Sequence, residues 1–221
     1  MRDHKTAILI FANSAEQEAL CKPFKSSIEL FEVLNHQTLL KVKRTEVPYF
    51  IYSEKEQVGI TFGERFTNAI QSVFDKGFSQ IITVGNDTPH LQSCQILQAI
   101  EQLKTNDIVL GPSLDGGFYL MGLRKSQFNQ NTFLDLPWQT SQLTRSISKL
   151  ISAKKIRLFT LEVLTDIDAV ADVKSILHSA KSVLLSILSK VKTQVLYFAI
   201  HLKSKTLLHC FNKGSPNFLR I

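Results

Sequence analysis

Not one aspartate or glutamate follows Asp172. The chain has 26 basic and 19 acidic residues, a formal charge of +7, yet residues 173–221 hold eight of the basic side chains and none of the acids. Residues 1–172 are left with 18 basic against 19 acidic side chains. That distribution excludes a chain-wide surface for a nucleic-acid polymer, which needs positive charge spread over the body of the protein. Cysteine is scarce as well. Cys21, Cys94 and Cys210 are odd in number and lack paired spacing, which argues against a disulfide framework, gives no zinc motif and suits thiols in a reducing cytoplasm. The first apolar run, "AILIFA", is too short for the core of a signal peptide and is followed by acids. Internal repeats and low-complexity linkers are missing too.

What is present is an ordinary globular composition, 44% apolar and 20% charged, over 221 residues. That length suits one domain with an appendage. Short apolar runs alternate with helical patterns. "TAILIFA" (6–12) reads as a first strand, followed by a polar stretch and then a helix over 26–45. "PYFIYS" (48–53) is a strand with Pro48 at its start, where a missing N–H does least harm. In 63–77 the spacing puts Phe66, Ile70, Val73 and Phe74 on one helical face and ends at Gly77. "QIITVG" (80–85), "DIVLG" (107–111) and "IRLFTL" (156–161) read as strands, and 91–103, 141–151 and 169–180 as helices. "PSLDGGFYLMGL" is a turn followed by an alternating strand. Strands separated by helices predict right-handed crossovers and an α/β body with a mainly parallel sheet.

The body closes at residue 180 and an extension follows over 181–221. It is apolar and basic, and lysines interrupt it before any run reaches membrane-spanning length. It is expected either to pack on the body or to lie on a membrane surface or protein partner as a basic amphipathic helix.

Acids collect where strands end. "QIITVGNDTPH" (80–90) runs from an apolar strand into Gly85, Asn86, Asp87, Thr88 and Pro89. These are turn-formers, and they also sit where open α/β sheets gather ligands. Asp115 lies in "GPSLDGGF", where Gly116 and Gly117 allow either a hairpin turn or close approach of the backbone to a ligand. Asp166 and Asp168 lie in "LTDIDAVAD", where capping the next helix needs only one of them. Carboxylates converging at a sheet's edge would suit Mg2+ or Mn2+, with substrate phosphates completing the shell.

Taken in order, "FGERFTNAI", "GNDTP", "VLGPSLDGGFYLMGL", "LPWQTS" and "TDIDAVADV" resemble domain-of-unknown-function family 2064, transferases associated with radical-SAM selenodomain proteins. The resemblance spans residues 6–178. It implies a three-layer α/β/α, glycosyltransferase-A-like (nucleotide-diphospho-sugar transferase) fold and a metal-dependent transferase of a glycosyl or nucleotidyl group. By that resemblance Asp87 and Asp168 are the metal-side acids, with Mg2+ or Mn2+ as cofactor and a nucleotide or nucleotide-sugar as substrate. Asp115 is the catalytic acid, with Asn86, Gly116 and Gly117 on the substrate side. Glu64 and Arg65 match the family's "GER", and Arg65 either meets phosphate or pairs with Glu64 or Asp87. Trp138 and Thr140 match a "WsT" segment that lines the acceptor side, although Trp138 is equally suited to a core.

The chain departs from the family after its first strand. The family usually carries a Lys-, Pro- and Gly-rich loop there, suited to phosphates. Here the stretch is "FANSAEQEALCKPF": Asn13 replaces the first lysine, no glycine is present, Glu16 and Glu18 add negative charge, and Lys22 alone stands in. Either the donor differs, or the chain is a non-catalytic binding or scaffold relative. A phosphatase reading of "DIDAV" is set aside, because that chemistry needs further acids downstream.

Overall fold

The computed structural model describes residues 5–23, 26–153, 155–167 and 172. The first strand, β1 (Thr6–Phe11), buries its four interior residues, as a strand covered on both faces must. The polar stretch after it forms α1 (Ala15–Cys21), which Ser14 caps by accepting the Gln17 N–H at 3.3 Å. Helix α2 (Ser27–Lys43) and strand β2 (Tyr49–Tyr52) follow. In α3 (Phe62–Asp75) Thr61 and Glu64 form a reciprocal capping box, which satisfies two otherwise orphaned N–H groups. Gly77, at φ +92°, stands just past the end of this helix, where only glycine turns the chain cheaply. Strand β3 (Gln80–Val84) is buried throughout. Helix α4 (Ser93–Gln102), strand β4 (Ile108–Pro112) and strand β5 (Phe118–Arg124) come next, then α5 (Gln130–Leu134), α6 (Leu143–Ala153) and β6 (Leu158–Thr160).

The six strands form one sheet in the order β2-β1-β3-β5-β4-β6. β1 runs parallel to β2 and β3, and β4 runs parallel to β6. Helices cover both faces. Ala7 and Leu9 of β1 join Phe66, Ile70 and Phe74 of α3 and Ile147 and Ile151 of α6 in one core. Ile8 and Ile10 join Val42 of α2 and Ile96 and Ala99 of α4 in the other. The period-2 alternation of strand side chains thus feeds two apolar layers, and the chain is a three-layer α/β/α fold with a mostly parallel sheet.

One strand departs from the parallel pattern. β5 is antiparallel to both β3 and β4, because the connection over 113–117 is far too short for a crossover. The interior of β5 is buried without alternation, since it lies between two neighbours under helices on both faces. Cys21 and Cys94 are free thiols. Among the described residues no helix is long and apolar enough to cross a membrane. The expected helix at 169–180, the extension at 181–221 with its membrane or partner contact, and Cys210 lie outside the described residues.

Candidate functional site

β3 delivers Gly85, Asn86 and Asp87 to the carboxyl edge of the sheet, where they line a cleft of about 350 Å³ beside the end of β1. Phe11, Phe62, Phe66 and Phe118 give this cleft an aromatic wall, and Asn13, Glu18, Lys22, Gln57 and Arg65 supply its polar groups. Asn86 is buried, and its side-chain amide donates to Asn35 Oδ1 at 2.7 Å. Asn35 in turn donates to the Asn13 carbonyl at 3.2 Å. That chain of amides ties the Asp87 turn to α2 and to the loop after β1.

Lys22 sits at the end of α1 and points at the same turn. Its ammonium donates to Asp87 Oδ2 at 3.0 Å and to the Ile167 carbonyl at 2.9 Å, and it lies 4.0 Å from Glu18 Oε2. Glu18 accepts the Asn13 side-chain amide at 3.1 Å. Burial pushes the Glu18 carboxyl above the usual carboxylate range, the Lys22 charge opposes this, and the Asp87 charge adds to it.

A second acid closes the site from the far end of the chain. Ile167 N–H donates to the Asp87 carbonyl at 2.9 Å, and Thr88 Oγ1 donates to Asp166 Oδ1 at 2.5 Å. Burial lifts the Asp166 carboxyl to about 7, and the Asp87 charge lifts it too. Hydrogen bonds from Thr88 and Ser113 work against that, and the Asp115 charge adds to it. The same segment meets the glycine turn, where Leu164 N–H donates to the Pro112 carbonyl and Leu114 N–H to the Leu164 carbonyl, each at 3.1 Å. Asp87, Asp115 and Asp166 therefore share one electrostatic neighbourhood. Asp166 was expected among the acids that converge at the sheet edge, with capping as its alternative, while the resemblance gave the metal role to Asp168. Asp168 lies outside the described residues.

The remaining expected site residues are spread around this centre. Asp115 is exposed and does not line the cleft. Its Oδ1 accepts Ser113 Oγ at 2.5 Å and Gly117 N–H at 2.9 Å, so Asp115, Gly116 and Gly117 form the turn between the antiparallel β4 and β5. Glu64 accepts the Ile60 and Thr61 N–H groups at 2.7 and 3.0 Å, which spends its carboxylate on the helix cap. Arg65 lines the cleft and donates to the Ile60 carbonyl at 2.8 Å. Trp138 donates to the Phe133 carbonyl at 2.6 Å and packs behind the aromatic wall. Thr140 is exposed and donates to the Pro137 carbonyl at 2.7 Å.

The described residues alone do not fit a resident divalent cation. Such an ion needs carboxylate oxygens at about 2.0–2.6 Å. Oδ2 of Asp87 is already held by the Lys22 ammonium, whose charge would repel the ion. Among the described residues no group of three or more His, Cys, Asp or Glu side chains is placed to hold a metal.

Comparison with curated protein sequences finds no match. Among solved structures the chain is similar to a proposed nucleotide-diphospho-sugar transferase of Desulfovibrio desulfuricans G20, with a TM-score of 0.75 and 19% identity over 88% of this chain and 98% of that one. It is similar, with a TM-score of 0.49 and 11% identity, to the 4-diphosphocytidyl-2C-methyl-D-erythritol synthase of Anaerococcus prevotii DSM 20548, over 72% of this chain and 90% of that one. A Mycobacterium tuberculosis H37Rv protein in complex with manganese gives a TM-score of 0.46 and 12% identity, over 80% of this chain and 100% of that one. Residues 41–140 match the family described as "uncharacterized protein conserved in bacteria" (DUF2064). Over residues 41–140 the chain is thus similar to the DUF2064 family, and as a whole it shares the glycosyltransferase-A-like fold of the Desulfovibrio protein.

Proposed function

We propose that this chain is a transferase that takes a nucleotide-type donor and moves a glycosyl or nucleotidyl group to an acceptor. The observation that carries the proposal is the cleft at the carboxyl ends of β1 and β3, with Asp87 and Lys22 on one side and an aromatic wall on the other. Ligands of open α/β sheets bind at such edges. An aromatic wall suits a base or sugar face, and among the described residues Lys22 and Arg65 are the cations that line the cleft and would meet phosphates. The description of the Desulfovibrio protein points to the same donor class.

In the reaction, an acceptor hydroxyl oxygen bonds to the sugar carbon, or to the phosphorus for nucleotidyl transfer. The bond to the leaving phosphate oxygen breaks, and the diphosphate departs with the electron pair. We assign the proton from the acceptor to Asp115, whose exposed turn is tied through Leu164 to the segment that meets Asp87. Asn86, Gly116 and Gly117 position the reacting groups, Thr140 lies on the acceptor side, and Trp138 supports the aromatic wall. Mg2+ or Mn2+, expected from the resemblance through Asp87 and Asp168, has no step here. We place the reaction in the cytoplasm, on the free thiols of Cys21 and Cys94.

A second reading, a non-catalytic binding module, is favoured by Glu18, a buried acid on the helix that stands where relatives carry a phosphate loop. Thermal-shift screening against nucleotides and nucleotide sugars, followed by assay of donor consumption, separates the two. A ligand present at 100 times its Kd stabilises the native state by about 2.7 kcal/mol. The transferase reading expects a nucleotide sugar or nucleoside triphosphate to raise the melting temperature and to be consumed. Binding without consumption selects the module, and no shift with any nucleotide removes the donor class.

A further inference from the structure

Resting on that donor reading, we propose that Lys22 is the resident cation of the cleft. Its ammonium occupies the position against Asp87 that a divalent metal would need, so a diphosphate-bearing ligand binds this protein without metal. The geometry is specific. Lys22 Nζ lies 3.0 Å from Asp87 Oδ2 and 2.9 Å from the Ile167 carbonyl, with Glu18 Oε2 at 4.0 Å. An ammonium has donors and no acceptor, and three oxygens, from Asp87, Ile167 and Glu18, lie within 4.0 Å of it, the kind of donor that a metal would need.

The lysine is also held in place. Its backbone N–H closes α1 on the Glu18 carbonyl at 2.7 Å. Its ammonium passes 5.4 Å from the centre of the Phe31 ring, within cation–π range, and its side chain keeps only 16% of its exposure. Ile167 completes the arrangement by donating its N–H to the Asp87 carbonyl while its own carbonyl takes the lysine. A fixed ammonium at the cleft wall supplies the positive charge that a diphosphate requires. It carries one charge where a divalent ion carries two, and Arg65 lines the same cleft.

The test uses the full chain and Mn2+ alone, followed by the six-line electron paramagnetic resonance spectrum of the free ion. The parent is expected to leave Mn2+ free at submillimolar concentration, and Lys22→Met to bind it at least tenfold more tightly. Calorimetry with inorganic pyrophosphate, in EDTA or in Mn2+, gives the second arm. The parent and Lys22→Arg are expected to bind equally well in both conditions. Lys22→Met should bind at least tenfold more weakly in EDTA and recover in Mn2+. Micromolar Mn2+ binding by the parent, or pyrophosphate binding by the parent only when Mn2+ is present, overturns the proposal, and neither depends on a variant folding. Pyrophosphate failing in both conditions sinks the donor reading instead, and the Mn2+ titration still decides the role of Lys22.

Discussion

A Cβ built on Gly63 would fall 2.4 Å from Cδ1 of Trp138. The indole closes over the first turn of α3 at that point, with ring centroids 5.6 Å from Phe62, 5.2 Å from Phe66 and 6.2 Å from Phe118. Those three phenylalanines line the cleft, so the chain's one tryptophan backs the aromatic wall from behind. On a free helix surface Gly→Ala stabilises by about 0.8–1 kcal/mol. Here the methyl must push the indole aside, and overpacking of that kind costs about 1–3 kcal/mol. Gly63→Ala is expected to lower the melting temperature and shift the tryptophan emission. A variant more stable than the parent would show that nothing packs on Gly63.

Gly116 answers to a different constraint. Its φ is +94°, and a Cβ there would lie 2.3 Å from the Ser141 carbonyl oxygen, which is backbone and cannot rotate away. The neighbouring turn is clamped by Thr144, whose N–H donates to the Gly116 carbonyl at 3.1 Å and whose hydroxyl donates to the Gly117 carbonyl at 2.6 Å. Gly116→Ala is expected to destabilise by about 1–3 kcal/mol from backbone strain alone, and to impair turnover by moving Asp115. Denaturant unfolding measures the first effect and donor consumption the second. An unchanged midpoint would mean that the turn tolerates a side chain.

For Asp87→Asn the two consequences separate. Turnover is expected to be lost, because the carboxylate opposite Lys22 at the floor of the cleft is gone. Stability is expected to stay within about 1 kcal/mol of the parent, since the lost ion pair is offset by relief of the charge that Asp87 presses on Asp166. A variant that consumes donor as fast as the parent would reduce Asp87 to a turn residue.

The strands and most of the helices were legible because burial on both sheet faces leaves unbroken apolar runs, as in "AILIF" and "QIITV", while α3 writes its one buried face at helical spacing. The reversal of β5 was legible in principle, since five residues around Asp115 cannot make a crossover. The hairpin turn stood open there beside a ligand-binding loop. Helix α1 was missed because it carries little apolar surface and is announced by one capping serine. The site itself was half visible. Asp87 could be placed from strand and turn chemistry, but its partners could not. The Lys22 contact crosses 65 positions and the Thr88–Asp166 contact crosses 78. Spacing in one sequence carries no signal for such pairs. Glu64 matched a family motif, yet its carboxylate is spent on two N–H groups of the cap, a local role that the Thr61-x-x-Glu64 pattern already spelled out.

The edge of the sheet offers a pH test away from the cleft. Asp107, just before β4, accepts from the Arg157 backbone N–H, Nε and Nη2, each at 3.1 Å, and so pins β4 to β6. Hydrogen bonds from the Arg157 side chain are the chief reason why the Asp107 carboxyl lies below its ordinary range. An unfolded aspartate titrates near about 3.9. Above that pH both states are ionised and the pair contributes fully. As pH falls past it, the unfolded chain takes up the proton first, and the contribution is gone once pH passes the lower folded value. Asp107→Asn is therefore expected to melt slightly below the parent between pH 5 and 8, with the gap closing below about pH 4. Urea midpoints for both proteins across that range supply the measurement. A gap that persists unchanged at pH 3 would assign the effect to lost neutral hydrogen bonds rather than to the ion pair.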